Sequence, residues 1–442
     1  MTELPINQIL VGDALERLRE LPDESVHCVI TSPPYWGLRD YGVAGQLGLE
    51  ATPAEYVEKM VGVFREVRRI LRHDGTLWLN LGDCYATGAA AVGNCPGGGE
   101  QGARWRGEVN RLRDEKRGYR GERLANGRGD SPAIQRKKSI DCGPRGPRNG
   151  HEGKQEYAAA VGPITQPNRM PIPGLKPKDL VGIPWRLAFA LQADGWYLRS
   201  DIIWAKPNPM PESVTDRPTK AHEYVFLLTK SERYFYDAEA IREPDAGTDH
   251  QRWVLDAEPS LEPSGGLRAP HGGIRTAEGR NGTGRNRRTV WSIATQPYPE
   301  AHFATFPETL VEPCILAGTS EQGACARCMT SLDRVMEKPG GAFHDHLRDG
   351  EQGQSQEGAR RKRQYLENLS KPRGTIGWRR TCVCEGALVA PCIVLDPFMG
   401  AGTVALVALK ARRNFIGIEL NPEYAEMARR RIEPELSQLR LL

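Results

Sequence analysis

The C-terminal segment constrains the fold more than any other part of the sequence. An apolar run at 392–395 leads into the Gly-containing turn DPFMGAGT (396–403), and residues 404–409 have helical character. A second apolar run at 414–420 carries Glu419 near its end. A strand, a Gly-rich turn, a helix and a strand that ends in an acid form the nucleotide-binding half of a doubly wound α/β fold.

The rest of the chain continues the alternation of strands and helices. Residues 26–30 are a fully apolar strand candidate, and residues 56–71 repeat apolar side chains at helical spacing. We also predict strands at 76–81, 197–204 and 222–229, and a helix at 184–193. The fold class is therefore α/β, with a doubly wound, mostly parallel sheet.

Length and composition set the number and kind of segments. With 442 residues and 39% hydrophobic residues, the chain can bury more than one core. The segment 87–173 is rich in Gly, Pro, Arg and Asn, and we predict that it is a basic, mobile insertion. Residues 100–150 contain fourteen Lys and Arg against seven Asp and Glu. Such a surplus suits contact with a polyanion, and a solvated flexible loop is the alternative.

The sequence has neither a signal-peptide pattern nor an apolar run of membrane-spanning length. We therefore expect a cytoplasmic protein that binds no membrane. In that compartment its ten cysteines are typical of metal ligands or buried thiols rather than disulfides.

The Gly-rich turn predicts a nucleoside-binding site. Gly400 and Gly402 let a ligand approach the backbone, and Glu419 can accept both hydroxyls of a ribose. A tight turn beside a surface Glu is the simpler alternative. The turn has the pattern F-x-G-x-G, starting at Phe398, in place of the G-x-G-x-x-G that cradles a pyrophosphate. This pattern favours a ribonucleoside without phosphate, such as S-adenosylmethionine.

The stretch TSPPY (31–35) predicts an amine-binding site at the end of the first apolar strand. Pro33 and Pro34 donate no hydrogen bonds and hold backbone carbonyls outward, and Ser32 adds a hydroxyl. A carbonyl and a hydroxyl can accept both hydrogens of an exocyclic amine, while Tyr35 can stack on the ring that carries it. A Pro-stiffened turn is the structural alternative.

These motifs together resemble those of the amino-group DNA methyltransferases that modify N4 of cytosine or N6 of adenine. The (D/N/S)-P-P-(Y/F/W) catalytic motif of that family matches Ser32, Pro33, Pro34 and Tyr35, and its F-x-G-x-G cofactor motif matches Phe398, Gly400 and Gly402. The catalytic motif precedes the cofactor motif, as in the permuted β class.

The resemblance implies further cofactor residues. In the β class, an acid that binds the adenine of the cofactor comes just before the catalytic strand, and Asp13 fits that position. The segment AHFATFPETLV (301–311) resembles the one near the methionine end, which implicates Phe306. The other cofactor candidates lie in or beside these motifs: Asp396, Thr403, Glu419 and Asn421.

The resemblance also implies a reaction and a substrate. A flipped base of double-stranded DNA would receive the methyl group on its exocyclic amine, without a covalent enzyme intermediate. The S-P-P-Y form favours N4 of cytosine, and N6 of adenine is the alternative; RNA or protein glutamine is a weaker rival. The resemblance allows for a partner restriction endonuclease, a monomer or a homodimer, and a bacterial or phage host.

Two cysteine pairs predict a structural zinc site. Cys325 and Cys328 form a C-x-x-C pair, and Cys382 and Cys384 form a C-x-C pair, so that four thiolates could bind Zn²⁺ tetrahedrally. Cys314 and Cys392 flank this insertion in apolar contexts, where a buried thiol is expected. A zinc-ribbon DNA-binding regulator without catalysis is an alternative, but it would not need S-P-P-Y and F-x-G-x-G together.

The predicted organisation assigns each part of the chain to one of six segments. They are a catalytic half (1–86), the basic Gly-rich insertion (87–173), a continuation of the catalytic half (174–232), a target-recognition region (233–295), a cofactor-binding half (296–318 and 390–442) and a zinc-ribbon-like insertion (319–389).

Overall fold

A computed structural model describes residues 4–38, 42–86, 174–243, 285–296, 298, 305–337 and 374–439. The predicted insertion 87–173, residues 244–284 of the predicted target-recognition region and residues 338–373 of the predicted zinc-ribbon-like insertion lie outside the described residues. The chain divides into two compact units. The first unit comprises Met1–Ser32, Phe64–Asn80 and Gln192–Leu442, and the second comprises Pro33–Val63 and Leu81–Leu191.

Strands dominate the first unit. In chain order the strands are β1 (Gln8–Val11), β2 (Val26–Thr31), β3 (Leu71–Leu81), β4 (Tyr197–Ala205), β5 (His222–Thr229), β6 (Val290–Ser292), β7 (Ala324–Cys325), β8 (Asp333–Met336), β9 (Thr375–Arg379), β10 (Val389–Ala390), β11 (Ile393–Asp396) and β12 (Asn414–Glu419).

Six α-helices accompany these strands in the described part of the chain. They are α1 (Ala14–Arg19), α2 (Pro53–Ile70), α3 (Ile183–Ala193), α4 (Glu308–Gly318), α5 (Thr403–Lys410) and α6 (Pro422–Leu439). None of them is both long enough and apolar enough to span a membrane.

Eight strands form one sheet in the order β1-β12-β11-β2-β3-β5-β4-β6. β1, β12, β11, β2 and β3 pair in parallel one after another, whereas β4 and β5 are antiparallel. The prediction of an α/β fold with a mostly parallel sheet is confirmed. The chain order reverses between β11 and β2, and ligands of open α/β sheets bind at the carboxyl ends of strands beside such a point.

The strand β3 begins earlier than its sequence indicates. Helical spacing extends over 56–71 and a strand is predicted at 76–81, but α2 ends at Ile70 and β3 starts at Leu71, so that Gly75 lies within the strand. A Cβ atom at Gly75 would lie 2.7 Å from the Leu71 side chain and 2.9 Å from the His27 carbonyl oxygen. The missing side chain therefore lets β3 approach β2 closely.

The edge strand β6 falls within the predicted target-recognition region 233–295. It pairs in parallel with β4, with Trp291 opposite Trp204, and both indole rings are buried. Because this strand has three residues, its sequence carries too little periodicity to reveal it. The end of that region therefore contributes a strand to the main sheet.

The residues 324–390 contain two short antiparallel sheets. β7 pairs with β10, and β8 pairs with β9. The strands are two to five residues long, so they are too short to form a core of their own.

The helix α4 contacts the sheet through its last residue, Gly318. A Cβ atom there would lie 2.6 Å from Thr76 Oγ1, 2.7 Å from Cys28 Sγ and 3.2 Å from Trp78 Nε1. All three neighbours are buried side chains on β2 and β3. Glycine is therefore required at this helix end because no space remains for a methyl group.

We expect Gly318→Ala to destabilise the protein by about 1–3 kcal/mol, the usual cost of overpacking a core. Gly62→Ala is the matched control, because Gly62 lies in α2 and nothing is within 4 Å of the position of its Cβ atom. That variant should gain roughly 0.5–1 kcal/mol. Denaturant unfolding measures both values, and equal effects of the two substitutions would contradict the packing argument.

Candidate active site

The turn after β11 has the backbone shape that its glycines predict. Gly400 and Gly402 have φ values of 52° and 77°, in the left-handed region that favours glycine. Gly402 immediately precedes α5, and a Cβ atom there would lie 3.0 Å from Ala428 Cβ. The turn therefore places the N-terminus of α5 at the carboxyl edge of the sheet, where free backbone N–H groups can meet a ligand.

Glu419 lies at the end of β12 and is fixed against this turn. Its Oε2 accepts a hydrogen bond from the Gly400 N–H at 2.8 Å, and its Oε1 accepts one from the Asn421 N–H at 2.8 Å. Burial raises the pKa of Glu419 above its ordinary value. The carboxylate is thus held by backbone donors rather than by a cation.

Asp13 follows the neighbouring strand β1. The Gly12 N–H donates to the Glu419 carbonyl oxygen at 2.9 Å, so the ends of β1 and β12 are adjacent. The Asp13 carboxylate caps α1 by accepting the Glu16 N–H at 3.0 Å. The structure therefore brings the predicted acids Asp13 and Glu419 to neighbouring strand ends.

Asp396 is a buried carboxylate with an unsatisfied oxygen. Its Oδ1 accepts hydrogen bonds from Thr31 Oγ1 at 2.7 Å and from the Phe398 N–H at 3.0 Å. Its Oδ2 is buried and has no partner among the described residues. Burial raises the pKa of Asp396 to about 7. A ligand with a positively charged hydrogen-bond donor would satisfy this oxygen.

The remaining cofactor candidates have different surroundings. Thr403 Oγ1 accepts a hydrogen bond from Arg431 at 3.0 Å, and Arg431 also donates to the Ala401 carbonyl at 3.2 Å. Asn421 Oδ1 accepts the Glu423 N–H at 2.8 Å in the first turn of α6. Both predicted residues therefore stabilise the turn and helix geometry.

The two predicted aromatic cofactor residues are partly buried. Phe398 lies in the turn after β11, where its backbone N–H contacts Asp396. Phe306 packs against the hydrophobic core of the first unit, just before α4.

The S-P-P-Y motif starts where β2 ends. Ser32 directly follows Thr31, the last residue of β2, and its Oγ accepts a hydrogen bond from Asn80 Nδ2 at 3.3 Å. Asn80 lies in β3, the neighbouring strand. The serine hydroxyl therefore lies at the same edge of the sheet as the Gly-rich turn.

In the second unit, the backbone after Ser32 is held by buried partners. The Pro34 carbonyl accepts a hydrogen bond from the Tyr56 hydroxyl at 2.9 Å, and Trp36 Nε1 donates to the Glu50 carbonyl at 2.9 Å. The Tyr35 ring lies against Gly82, where a Cβ atom would be 2.6 Å from Tyr35 Cε2. The orientation of the Tyr35 ring is therefore constrained by a neighbouring backbone.

The four predicted metal ligands lie together. The Sγ atoms of Cys325, Cys328, Cys382 and Cys384 are all within 4.8 Å of one another. Hydrogen bonds from the backbone N–H groups of Cys328 and Arg327 lower the pKa of Cys325 to about 6. Hydrogen bonding with Cys328 raises the pKa of Cys384 to about 12, so within the group the thiolate form that binds metals is favoured at Cys325 and disfavoured at Cys384.

The two flanking cysteines lie outside this group. Cys314 Sγ donates to the Leu310 carbonyl within α4 at 3.3 Å, and Cys392 lies 4.0 Å from Ser331 Oγ. Burial raises the pKa of Cys392 to about 11, which favours an inert thiol.

The cysteine group is attached to the amino edge of the main sheet. His27, near the start of β2, contacts the Met329 carbonyl through Nε2 at 2.8 Å and accepts the Ile393 N–H through Nδ1 at 3.0 Å. Arg72, near the start of β3, donates to the Cys328 carbonyl at 2.8 Å. The cysteines are therefore fixed at the edge opposite Ser32.

Sequence reasoning missed several residues that shape the carboxyl edge. Thr31, Asn80 and Arg431 each donate a hydrogen bond to a predicted site residue. Asn80 stands alone as a polar residue in the apolar run 77–81, and a buried amide in such a run is a signal of a specific partner.

Comparisons with known proteins agree with these motifs. A family model described as a DNA methylase, N6_N4_Mtase, matches residues 26–326 and 392–430. Type II methyltransferase M.Cfr9I of Citrobacter freundii is 38% identical over 424 residues, which are 96% of this chain and 87% of that protein. Type II methyltransferase M.SmaI of Serratia marcescens is 35% identical over 426 residues, which are 96% of this chain and 90% of that protein.

A solved structure is also similar. The PvuII DNA methyltransferase, described as cytosine-N4-specific, matches 98% of this chain and 91% of its own with a TM-score of 0.43 and 14% identity.

We expect Asp396→Asn to stabilise the protein at pH 8 by at least about 1 kcal/mol, the value of one pKa unit. The pKa of Asp396 is raised to about 7 in the folded protein, so folded wild-type chains bind a proton that unfolded chains release between pH 4 and 7. Wild-type stability should therefore fall across that range, and the variant lacks this loss. Unfolding free energies measured from pH 4 to pH 8 test this. Parallel pH profiles for the two proteins would contradict it.

Proposed function

Because this chain belongs to the N6_N4_Mtase family of DNA methylases, we propose that it methylates N4 of cytosine at specific sites in double-stranded DNA. The family match confirms the resemblance drawn from the motifs, and S-adenosylmethionine is the methyl donor. The matched ranges include both S-P-P-Y and F-x-G-x-G. The observation that supports the proposal best is that Ser32 and the Gly-rich turn lie at the same carboxyl edge of one sheet, where Thr31 donates a hydrogen bond to Asp396.

The residues around the Gly-rich turn fit the cofactor. The unsatisfied Asp396 Oδ2 offers an acceptor for the cationic amino group of its methionine part. Glu419 would accept the ribose hydroxyls, with Asp13 on the next strand end for the adenine, and Phe398 and Phe306 would supply apolar contacts. When bound, S-adenosylmethionine supplies a methyl group on a positively charged sulfur.

The S-P-P-Y motif would prepare the base for transfer. An aromatic amine is a weak nucleophile because its lone pair is delocalised into the ring. The Ser32 hydroxyl and the Pro33 carbonyl would accept its two hydrogens, which localises the lone pair on nitrogen, while Tyr35 stacks on the ring. The base must leave the duplex to reach these groups, so base flipping is part of the proposal.

The choice of cytosine rests on Ser32. Among amino-group DNA methyltransferases, Ser at the first motif position is commoner in cytosine-N4 enzymes, and Asp in adenine-N6 enzymes. Sequence recognition would come from residues 233–295 with help from the basic segment 87–170. The relatives are Type II methyltransferases, which agrees with a partner restriction endonuclease for the same DNA sequence.

Product analysis tests the target base. The protein is incubated with duplex DNA and methyl-labelled S-adenosylmethionine, and the DNA is then digested to nucleosides. We expect the label in N4-methylcytosine. Label in N6-methyladenine would replace cytosine by adenine as the target, and DNA without label would contradict a DNA methyltransferase.

We expect Tyr35→Ala to lower the methyl-transfer rate at least about tenfold, because a lost base stack costs roughly 1–3 kcal/mol. Its affinity for S-adenosylmethionine should stay near that of the wild type, since the proposed cofactor residues lie elsewhere. Glu419→Ala should show the opposite order, with cofactor affinity lost first. Single-turnover methylation and calorimetric titration measure the two quantities.

Tyr197→Ala is the matched control, because Tyr197 is an exposed tyrosine on β4 outside both motifs. It should retain both activities. If Tyr35→Ala methylates DNA at the wild-type rate, or if it loses stability, cofactor affinity and methylation in parallel, Tyr35 does not have the proposed role.

We also propose that the four clustered cysteines bind one structural zinc ion. Their spacing within 4.8 Å of one another suits a tetrahedral Cys₄ site, and their attachment to the amino edge of the sheet separates them from Ser32. The metal would join the two short sheets β7–β10 and β8–β9, which are too small to be stable alone.

Metal analysis of the purified protein should therefore give about one zinc per chain. Cys325→Ser should lose the zinc and melt at a lower temperature, because three ligands hold the ion less tightly. Cys392→Ala changes a buried cysteine outside the group and should keep the zinc. Protein without zinc at full stability would refute the proposal.

A further inference from the structure

A polar network of hydrogen-bonded side chains, Asn80, Glu223 and Lys206, extends from Ser32 across the sheet. Asn80 Nδ2 donates to Ser32 Oγ at 3.3 Å and to Glu223 Oε2 at 3.2 Å, and Glu223 Oε1 forms an ion pair with Lys206 Nζ. Ser32 follows β2, Asn80 lies in β3, Glu223 lies in β5, and Lys206 follows β4. These four strands are consecutive in the sheet.

The side chains of this polar network are mostly shielded from water. Asn80 is 5% exposed, and the side chains of Glu223 and Lys206 are 17% and 18% exposed. Removing charged groups from water is costly, and apolar residues often replace a shielded ion pair without loss of stability. Stability alone therefore does not account for a lysine and a glutamate at this position.

The Glu223 carboxylate fixes the orientation of the Asn80 amide. An ionised carboxylate only accepts hydrogen bonds, so Glu223 selects the NH₂ group of Asn80 rather than its oxygen. The same NH₂ group has a second hydrogen, which points to Ser32 Oγ. Ser32 Oγ therefore accepts a hydrogen bond from the Asn80 amide, and this bond fixes the position of the serine oxygen.

Lys206, the member of the polar network farthest from Ser32, is itself held in place. Its backbone N–H donates to the Ala221 carbonyl at 2.8 Å, and its ammonium group lies 4.2 Å from the centre of the Trp204 ring. Trp204 Nε1 in turn donates to the Ile293 carbonyl at 2.8 Å. The positive charge beside Glu223 is therefore fixed on both sides, toward β5 and toward β6.

We propose that Asn80, Glu223 and Lys206 are positioning residues that orient the Ser32 hydroxyl toward the amine of the target base. The inference rests on the proposed function, because it assigns Ser32 the role of an acceptor for that amine. Lys206 keeps Glu223 in place, Glu223 orients Asn80, and Asn80 places the serine oxygen. A small displacement of a reacting group can lower the rate about a hundredfold, so Glu223 and Lys206 affect methyl transfer although they lie farther from the base than Ser32.

Two substitutions interrupt the polar network without removing Ser32. Glu223→Gln leaves one acceptor oxygen in place of two, so the side chain can no longer accept from both Asn80 and Lys206, and Lys206→Met removes the charge while keeping the length of the side chain. We expect each to lower the single-turnover rate of methyl transfer by about tenfold to a hundredfold. The dissociation constant for S-adenosylmethionine should stay within about twofold of the wild type, since Phe398 and Gly400 lie in the turn after β11 and Glu419 lies at the end of β12.

Lys230→Met is the matched control. Lys230 follows the other end of β5, is 20% exposed, and forms a similar ion pair with Glu24 at 3.1 Å. It should methylate DNA at the wild-type rate. Lys206→Arg restores the charge and should recover most of the rate lost in Lys206→Met, whereas a packing defect would not be rescued in this way.

The double variant Glu223→Gln with Lys206→Met tests whether the residues act in series. Its rate of methyl transfer should be no lower than that of the slower single variant, because either change already interrupts the polar network. Multiplying losses, or single variants as fast as the wild type, would overturn the inference. A wild-type protein that transfers no methyl group to DNA would instead refute the proposed function itself, so the two failures are distinguishable.

Discussion

The hydrogen bond from Thr31 Oγ1 to Asp396 Oδ1, at 2.7 Å, joins two strand ends that are 365 residues apart in the chain. It connects the last residue of β2 to the last residue of β11, which are parallel neighbours in the sheet. Ser32 directly follows β2 and the Gly-rich turn directly follows β11, so this contact holds the starting points of both motifs at one edge of the sheet. The order of the motifs along the chain is therefore independent of their meeting in space, because strand pairing rather than sequence order brings them together.

This contact also shows a cost that the fold carries for binding. Asp396 is buried with one oxygen unsatisfied, and its pKa is raised to about 7 because water is excluded. A carboxylate in such a place destabilises the protein without its ligand, and the same property makes it a strong acceptor for a cationic group. The Lys206–Glu223 pair is a milder case, since two shielded charges maintain an orientation rather than a core.

The sequence predicted those parts of the protein that local patterns determine. The strands at the two motifs, the amphipathic helix α2 and the four clustered cysteines follow from periodicity and spacing over a few residues. It did not predict β6, because three residues carry no period, or the place of Gly75, whose role depends on the neighbouring strand. The link from Asn80 to Glu223 joins residues 143 positions apart, so only the sheet order reveals it.

The amino edge of the sheet carries the cysteine group and the carboxyl edge carries Ser32, and His27 lies at the amino edge in contact with the cysteine group. Its ring contacts the Met329 carbonyl beside the cysteine group and the Ile393 N–H at the start of β11, so both nitrogens are used for structure. Burial lowers the pKa of His27 to about 4, and the ring is therefore neutral near pH 7, as these two contacts require. Four residues separate His27 from Ser32 on the same segment of chain, and the parallel strands carry this fixed position from the amino edge to the carboxyl edge. A cysteine group that anchors the amino edge can thus support the geometry of the reacting groups without touching them.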